Sequence, residues 1–192
     1  MITGEQATTA ARIGDLTLAC PRCRAPLVPD GDGAVRCTVE GDRFPNEDGI
    51  WCFLLPERER RLAQFMAEYA AVRRAEGRGD DDPSFYRALP FHDLTGRFVD
   101  DWRIRAVSYQ ALVNRVLPPL ETRWRRPLRI LDLGAGNCWL SYRLARRGHR
   151  VVAVDLLTDL RDGLGAYVHY DAVFTPVQAE FGLTVGERQA VE

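Results

Sequence analysis

The sequence predicts an α/β fold, on three observations. The run Arg129 to Leu157, RILDLGAGNCWLSYRLARRGHRVVAVDLL, reads as a strand, a glycine turn, a helix and a second strand closed by an acid. Near the amino terminus, paired cysteines stand among short apolar segments and turn residues, the pattern of a small β unit. Between the two, apolar residues recur at helical spacing. The expected organisation is a β head over residues 1–55, a helical connector over 56–127 and a β/α domain over 128–192.

Composition sets bounds. Among 192 residues, 26 basic side chains nearly balance 27 acidic ones, so a nucleic-acid partner draws no support from charge. No run of about 18 apolar residues is present, which argues against a membrane span. The opening MITGEQATTAARIGD lacks the basic and apolar regions of a signal peptide, so a cytoplasmic protein is expected. Five cysteines, two of them in a C-x-x-C pair, favour metal binding or redox chemistry over a structural disulfide in that setting.

In the head, Cys20-Pro21-Arg22-Cys23 has the spacing of a zinc knuckle, a tight turn presenting two thiolates to one tetrahedral ion. A hairpin turning at Asp30 to Gly33 leads to Cys37, the first ligand of a second knuckle. The alternative is a ribbon held by Leu18, Val35, Phe44, Ile50 and Trp51, its thiols serving as small buried apolar groups. A thioredoxin-like site is disfavoured, because no strand and helix pattern flanks the pair.

Pro56 to Gly79 is expected to be an amphipathic helix with Leu62, Phe65, Met66, Tyr69 and Val72 on its apolar face. Its basic residues are interspersed with Glu, the pattern of a solvated face more than of an RNA contact. Gly77 to Pro83 breaks the helix, and FYRALPFHDLTGRF reads as irregular and aromatic. A second helix is expected from about Asp100 to Leu117, with Trp102, Val107, Leu112, Val113 and Val116 inward and Pro118-Pro119 as its end.

In the β/α domain, Ile130, Leu131 and Leu133 suit a parallel strand buried on both faces, and Gly134 and Gly136 permit the sharp turn after it. The next helix carries Leu140 and Leu144 and ends at Gly148. Val151 to Val154 rebuild a buried strand with Asp155 at its carboxyl end, where an acid faces the crevice above the sheet and can accept from two ribose hydroxyls. A dinucleotide fingerprint requires a third glycine where this chain has Trp139, which disfavours a nucleotide-dependent oxidoreductase. Beyond Asp155, Thr158 to about Ala166 is expected to be helical, weakened by Gly163 and Gly165, and Phe174 to Ala179 to be a third strand.

The pattern D-x-G-x-G, with a second acid ending the next strand, resembles motif I and the acidic loop of class I S-adenosylmethionine-dependent methyltransferases. The resemblance implies a Rossmann-like sheet of which this chain holds strands in order 3-2-1, an incomplete methyltransferase fold truncated after the third strand, with an open edge on the first. It implies S-adenosyl-L-methionine as cofactor, Asp155 as ribose ligand, Glu180 at the adenine, and Asp132, Gly134, Ala135 and Gly136 shaping the wall near the aminoacyl end. It also implies that the aromatic stretch FYRALPFHDLTGRF lies over the cofactor site, with His92 and Asp93 near the cofactor or acceptor. Many members carry glycine where this chain has Cys138. The head resembles the zinc-ribbon head of bacterial methyltransferases, including those acting on ribosomal RNA, through Phe44-Pro45 and Asp48-Gly49-Ile50. That likeness implies a zinc site of Cys20, Cys23 and Cys37 with Glu40 where a fourth cysteine is expected. The reading is a methyltransferase of unidentified acceptor, with no catalytic base named. The alternative is a noncatalytic module engaging RNA, protein or a complementing fragment, with self-association through the open edge.

Overall fold

The computed structural model describes residues 9–13 and 16–180; the closing GLTVGERQAVE, together with residues 1–8, 14–15 and 181, lies outside the described residues. The chain is α/β, with a mixed five-stranded sheet and a separate small antiparallel sheet. The head opens with a short ladder of β1 (Arg12–Ile13) and β2 (Leu16–Thr17). Its antiparallel sheet joins β3 (Leu27–Pro29), β4 (Val35–Cys37) and β5 (Arg43–Phe44). Gly31, Asp32 and Gly33 turn that hairpin with positive φ. Leu18, Leu27, Val35 and Phe44 bury against one another beneath it.

The next hairpin, β6 (Asn46–Glu47) and β7 (Ile50–Cys52), turns at Asp48-Gly49, both residues at positive φ as a two-residue loop requires. The sequence places this hairpin in the head, yet β7 pairs in parallel with β10 (Thr175–Gln178), matching Trp51 with Val177. β10 pairs with β9 (Arg150–Asp155), and β9 with β8 (Arg129–Leu133), all in parallel. The large sheet therefore runs β6-β7-β10-β9-β8, with the third, second and first strands of the β/α domain in the expected order. Tyr167 fixes the hairpin to the domain by donating to the Asp48 carbonyl at 2.6 Å. Gly49 has φ +83°, which favours glycine, and a Cβ there would stand 2.2 Å from that hydroxyl and force the tyrosine to move.

Connector helix α1 (Pro56–Ala75) corrects the amphipathic expectation: none of its side chains is fully buried, and Phe65, Tyr69 and Val72 are exposed. It docks instead through charge. Arg58 donates to Glu180 at 2.5 Å, and Arg73 makes two hydrogen bonds to Asp162, one of 3.0 Å. The stretch read as irregular holds a short helix α2 (Pro83–Ala88), which buries Phe85 and Tyr86.

Helix α3 (Val99–Ala111) passes through a π-turn at Leu112–Val116 into α4 (Leu117–Trp124), so Pro118-Pro119 do not end it. Proline is tolerated where its missing N–H has no intrahelical role, as in a first turn, and the wide π-turn provides that setting. The turn also rotates the buried stripe: Tyr109 and Leu117 are buried, whereas Val107 and Val116, expected inward, are exposed.

Helix α5 (Trp139–Arg146) buries Ser141, Tyr142 and Leu144 against β8 and β9, in one core with Leu117, Val151, Ala153 and Phe174. The expected helix from Thr158 is replaced by turns and a 3-10 segment, Leu164–His169. Gly163 and Gly165 pack so closely that a Cβ on either would meet the Leu157 or Thr158 carbonyl at 2.7 or 2.5 Å. β8 departs from the expectation of burial on both faces, with Leu131 and Leu133 58% and 55% exposed. Among the described residues it pairs only with β9 and forms the sheet edge. A shallow apolar groove lies beside it, lined by Leu131, Val152, Val173 and Phe174.

Candidate functional site

A cavity of about 310 Å³ opens at the carboxyl ends of β8 and β9, a volume within the range of small-molecule sites. Its floor is the glycine turn, whose Gly134 and Ala135 amides donate to the Val154 carbonyl at 2.9 and 3.1 Å. Gly134 has φ +72°, and a Cβ there would enter open space. Gly136, at φ +51°, donates to Asp155 Oδ2 at 2.8 Å, while Asp155 Oδ1 accepts from the Leu156 and Leu157 amides at 2.7 and 3.1 Å. Asp155 thereby locks the turn to the end of β9. Its Oδ2 carries one hydrogen bond of the two an oxygen can accept, which leaves capacity toward the cavity.

The structure brings Gly134, Ala135, Gly136 and Asp155 together on the cavity wall, but neither Asp132 nor Glu180. Asp132 lies beneath the turn, where burial pushes its carboxyl above the ordinary range, opposed by the Ser141 hydroxyl that donates to it at 2.7 Å. It ties β8 to α5. Glu180 is held by Arg58 of α1. Cys138 sits at φ 65° and is fully buried, a left-handed conformation that costs a non-glycine residue about 1–2 kcal/mol. That conformation explains why glycine would suit the position.

The other walls come from residues that sequence reasoning did not assign. Trp139 at the start of α5 meets Trp102 of α3 edge to face, ring centroids 6.0 Å apart, and Phe85 and Phe98 extend this aromatic side. Tyr69 and Arg73 of α1, Arg78 and Gly79 of the following loop, and Asp162 close the rest. The Arg78 guanidinium lies 3.8 Å from the Phe98 ring centroid. Burial raises the Asp162 carboxyl above its ordinary value, with Arg73 pulling the other way. Trp139 had a visible signal, as a large residue at a glycine position, and Phe85 and Phe98 bound the aromatic stretch that the family resemblance implies over the cofactor; nothing in the helical spacing of α1 marks Tyr69 or Arg73 as site residues. An adjoining basin is rich in arginine, and Arg73, Arg78, Arg97 and Arg161 of its lining each face a carboxylate.

Neither candidate loop residue reaches the cavity. Asp93 caps the entry to α3 by accepting from Thr95 and Phe98, and His92 is exposed. His149 is buried with Nε2 3.1 Å from Glu121, and His169 stacks on Tyr86.

In the head, the Cys20, Cys23 and Cys37 sulfurs lie within 4.8 Å of one another and form a group that can hold a metal ion. Sulfurs bound at 2.3 Å to one tetrahedral ion stand about 3.8 Å apart, so little movement would be required. Two similar turns gather them. Arg24 donates to the Cys20 carbonyl at 2.8 Å with φ 64°, and Gly41 donates to the Cys37 carbonyl at 3.0 Å with φ 78°. The Glu40 amide donates to Cys37 Sγ at 3.3 Å, and amides of Glu40 and Val39 hold that thiol below its ordinary pKa despite burial. Cys23 accepts from the Ala25 amide, but desolvation and the neighbouring Cys37 and Cys20 thiols push it up to about 11. The exposed Glu40 carboxylate stands outside the sulfur group, as does Cys52, whose Sγ faces the Ile50 carbonyl at 3.6 Å.

Among the described residues, no helix is long and apolar enough to cross a membrane. Comparison with protein-family models and with curated proteins returns no match.

Proposed function

We propose that the chain binds S-adenosylmethionine in the cavity over the glycine turn and serves methyl transfer to an acceptor, in the manner of the class I methyltransferases that its motifs resemble. The observation that carries this reading is the Gly136 to Asp155 hydrogen bond at the carboxyl ends of adjacent parallel strands, beneath an open cavity. The bound cofactor would supply a methyl group on a sulfonium. Asp155 would accept from the ribose hydroxyls, the glycine turn would allow close approach of backbone, and the aromatic side would exclude water and favour a cation. Trp139 at the cavity rim argues against a pyrophosphate, whose site at the helix start requires a small residue. The acceptor's wall is assigned to a segment or second chain that pairs with β8, the sheet edge among the described residues, where Leu131 and Leu133 are exposed. That exposed edge also favours the second reading, a binding module that associates with itself or with a complementing fragment.

In the head, zinc is the metal proposed for the thiols, since it is borderline soft and forms tetrahedral thiolate sites in structural units. The cofactor reading is tested through the fluorescence of Trp102 and Trp139, which line the cavity. Saturable quenching by S-adenosylmethionine and by its demethylated product is expected, with none by NAD. Quenching by NAD alone would overturn it.

A further inference from the structure

We infer that the head holds its metal through the three thiolates that the described residues supply, Cys20, Cys23 and Cys37, and leaves the ion's fourth position to a small-molecule thiolate from solution. The inference rests on the metal reading above. The two sulfur-bearing turns are alike in hydrogen bonding: Cys20 to Arg24 closes with an amide-to-carbonyl bond of 2.8 Å, and Cys37 to Gly41 with one of 3.0 Å. Glu40 therefore occupies in the second turn the place that Cys23 occupies in the first. Its backbone does what a knuckle requires by donating to Cys37 Sγ, but its carboxylate is turned out to solvent and lies outside the sulfur group.

No other donor of this chain takes its place among the described residues. Cys52 belongs to β7 of the large sheet with its Sγ at the Ile50 carbonyl, Cys138 is buried beside the glycine turn, and His149 and His169 are packed in the β/α domain. A tetrahedral ion with three protein ligands keeps one exchangeable position, as in catalytic zinc sites. The exposed tips of both turns and the part-exposed Cys23 leave a path from solvent to the group. A thiolate is the donor that best matches a borderline-soft ion already bound by sulfur. On binding, the incoming thiol would displace the solvent water from that position, form a sulfur–metal bond and release its proton to solvent.

The bound thiolate is not the group that the cavity would methylate. Arg22 of the first turn pairs with Glu57 at the start of α1, whereas Arg73 of the same helix lines the cavity, about 24 Å further along at 1.5 Å per residue.

Cobalt(II) replaces zinc as a visible probe, titrated anaerobically into the full chain without thiol reductant. One equivalent is expected to bind with the sulfur-to-cobalt charge-transfer intensity of three thiolates. Adding 2-mercaptoethanol should then raise that intensity saturably by about one third as three sulfurs become four. Glu40→Cys should show the four-thiolate spectrum from the start and no response to added thiol, while Glu40→Gln should behave as the parent chain does. A parent spectrum that added thiol leaves unchanged overturns the open position and spares the metal reading, as does a Glu40→Gln spectrum that differs before thiol is added. Failure of a chain that is folded by circular dichroism to take up cobalt overturns both.

Discussion

In the head, three sulfurs are gathered by two turns of one design, each closed by its own short backbone bond. The cavity over the glycine turn is assembled from α1, the Arg78-Gly79 loop, α3 and the strand ends, segments far apart in sequence. The two sites are therefore vulnerable in different places. A local turn keeps its geometry when distant packing loosens, whereas an assembled cavity depends on every docking contact.

The largest test of that contrast is Gly79→Ala. Gly79 has φ +76°, and a Cβ would stand 2.4 Å from the Arg161 carbonyl. The left-handed strain and the backbone clash together should cost about 3 kcal/mol in urea denaturation and abolish cofactor binding. Cobalt uptake by the head should persist; its loss would show that the two regions are not separable.

Cys37→Ser attacks the contrast from the other side. Metal affinity should fall by more than about 100-fold, since even changes behind the ligands cost that much. Cofactor affinity, read by tryptophan fluorescence, should stay within roughly twofold, as expected of distant sites. A larger loss would mean that the head supports the cavity through the β7 to β10 pairing.

Arg73→Met leaves the Asp162 carboxylate part-buried without its guanidinium. At pH 7 this should cost about 2 kcal/mol, below the cost of breaking a fully buried pair because Arg73 is partly solvated. The sign with pH follows from Asp162, whose folded pKa is already raised by burial and rises further in the variant. The folded variant then holds this proton more tightly than the unfolded chain does. Stability is lost as pH rises through the folded pKa and recovered below the unfolded one, so the gap from the parent chain should narrow in acid. Urea midpoints across that range check it.

The smallest effect on stability is expected at the open edge. Leu131→Thr with Leu133→Thr should change stability by no more than about 0.5 kcal/mol, because both side chains are exposed. The parent chain should self-associate with concentration in sedimentation velocity, and the double variant should lose that behaviour.

What could be read from the sequence follows the same division. The knuckle spacing of Cys20 and Cys23, the hairpin at Asp30 to Gly33, and the strand-turn-helix-strand of the β/α domain each carry a local signature of turn chemistry or periodicity. Asp155 was legible because an acid that ends a β-branched strand after a glycine turn has few other positions to occupy. The parallel pairing of β7 with β10 was not, since it joins segments with no shared pattern. Docking of α1 by Arg58 and Arg73 was hidden for a related reason: charged residues on a helix look alike whether they face solvent or a distant acid. Pro118-Pro119 misled because the π-turn before them supplies a second first turn, which proline permits. The helix expected after Thr158 failed on Gly163 and Gly165, whose missing side chains serve close packing.

The central claim concerns the cavity, and calorimetric titration of S-adenosylmethionine into the parent chain, Asp155→Asn and Asp155→Ala tests it most directly. Binding of one equivalent is predicted for the parent, weakened in Asp155→Asn and lost in Asp155→Ala, with both variants folded by circular dichroism. Equal affinity in all three proteins, or no binding by the folded parent, would contradict the account.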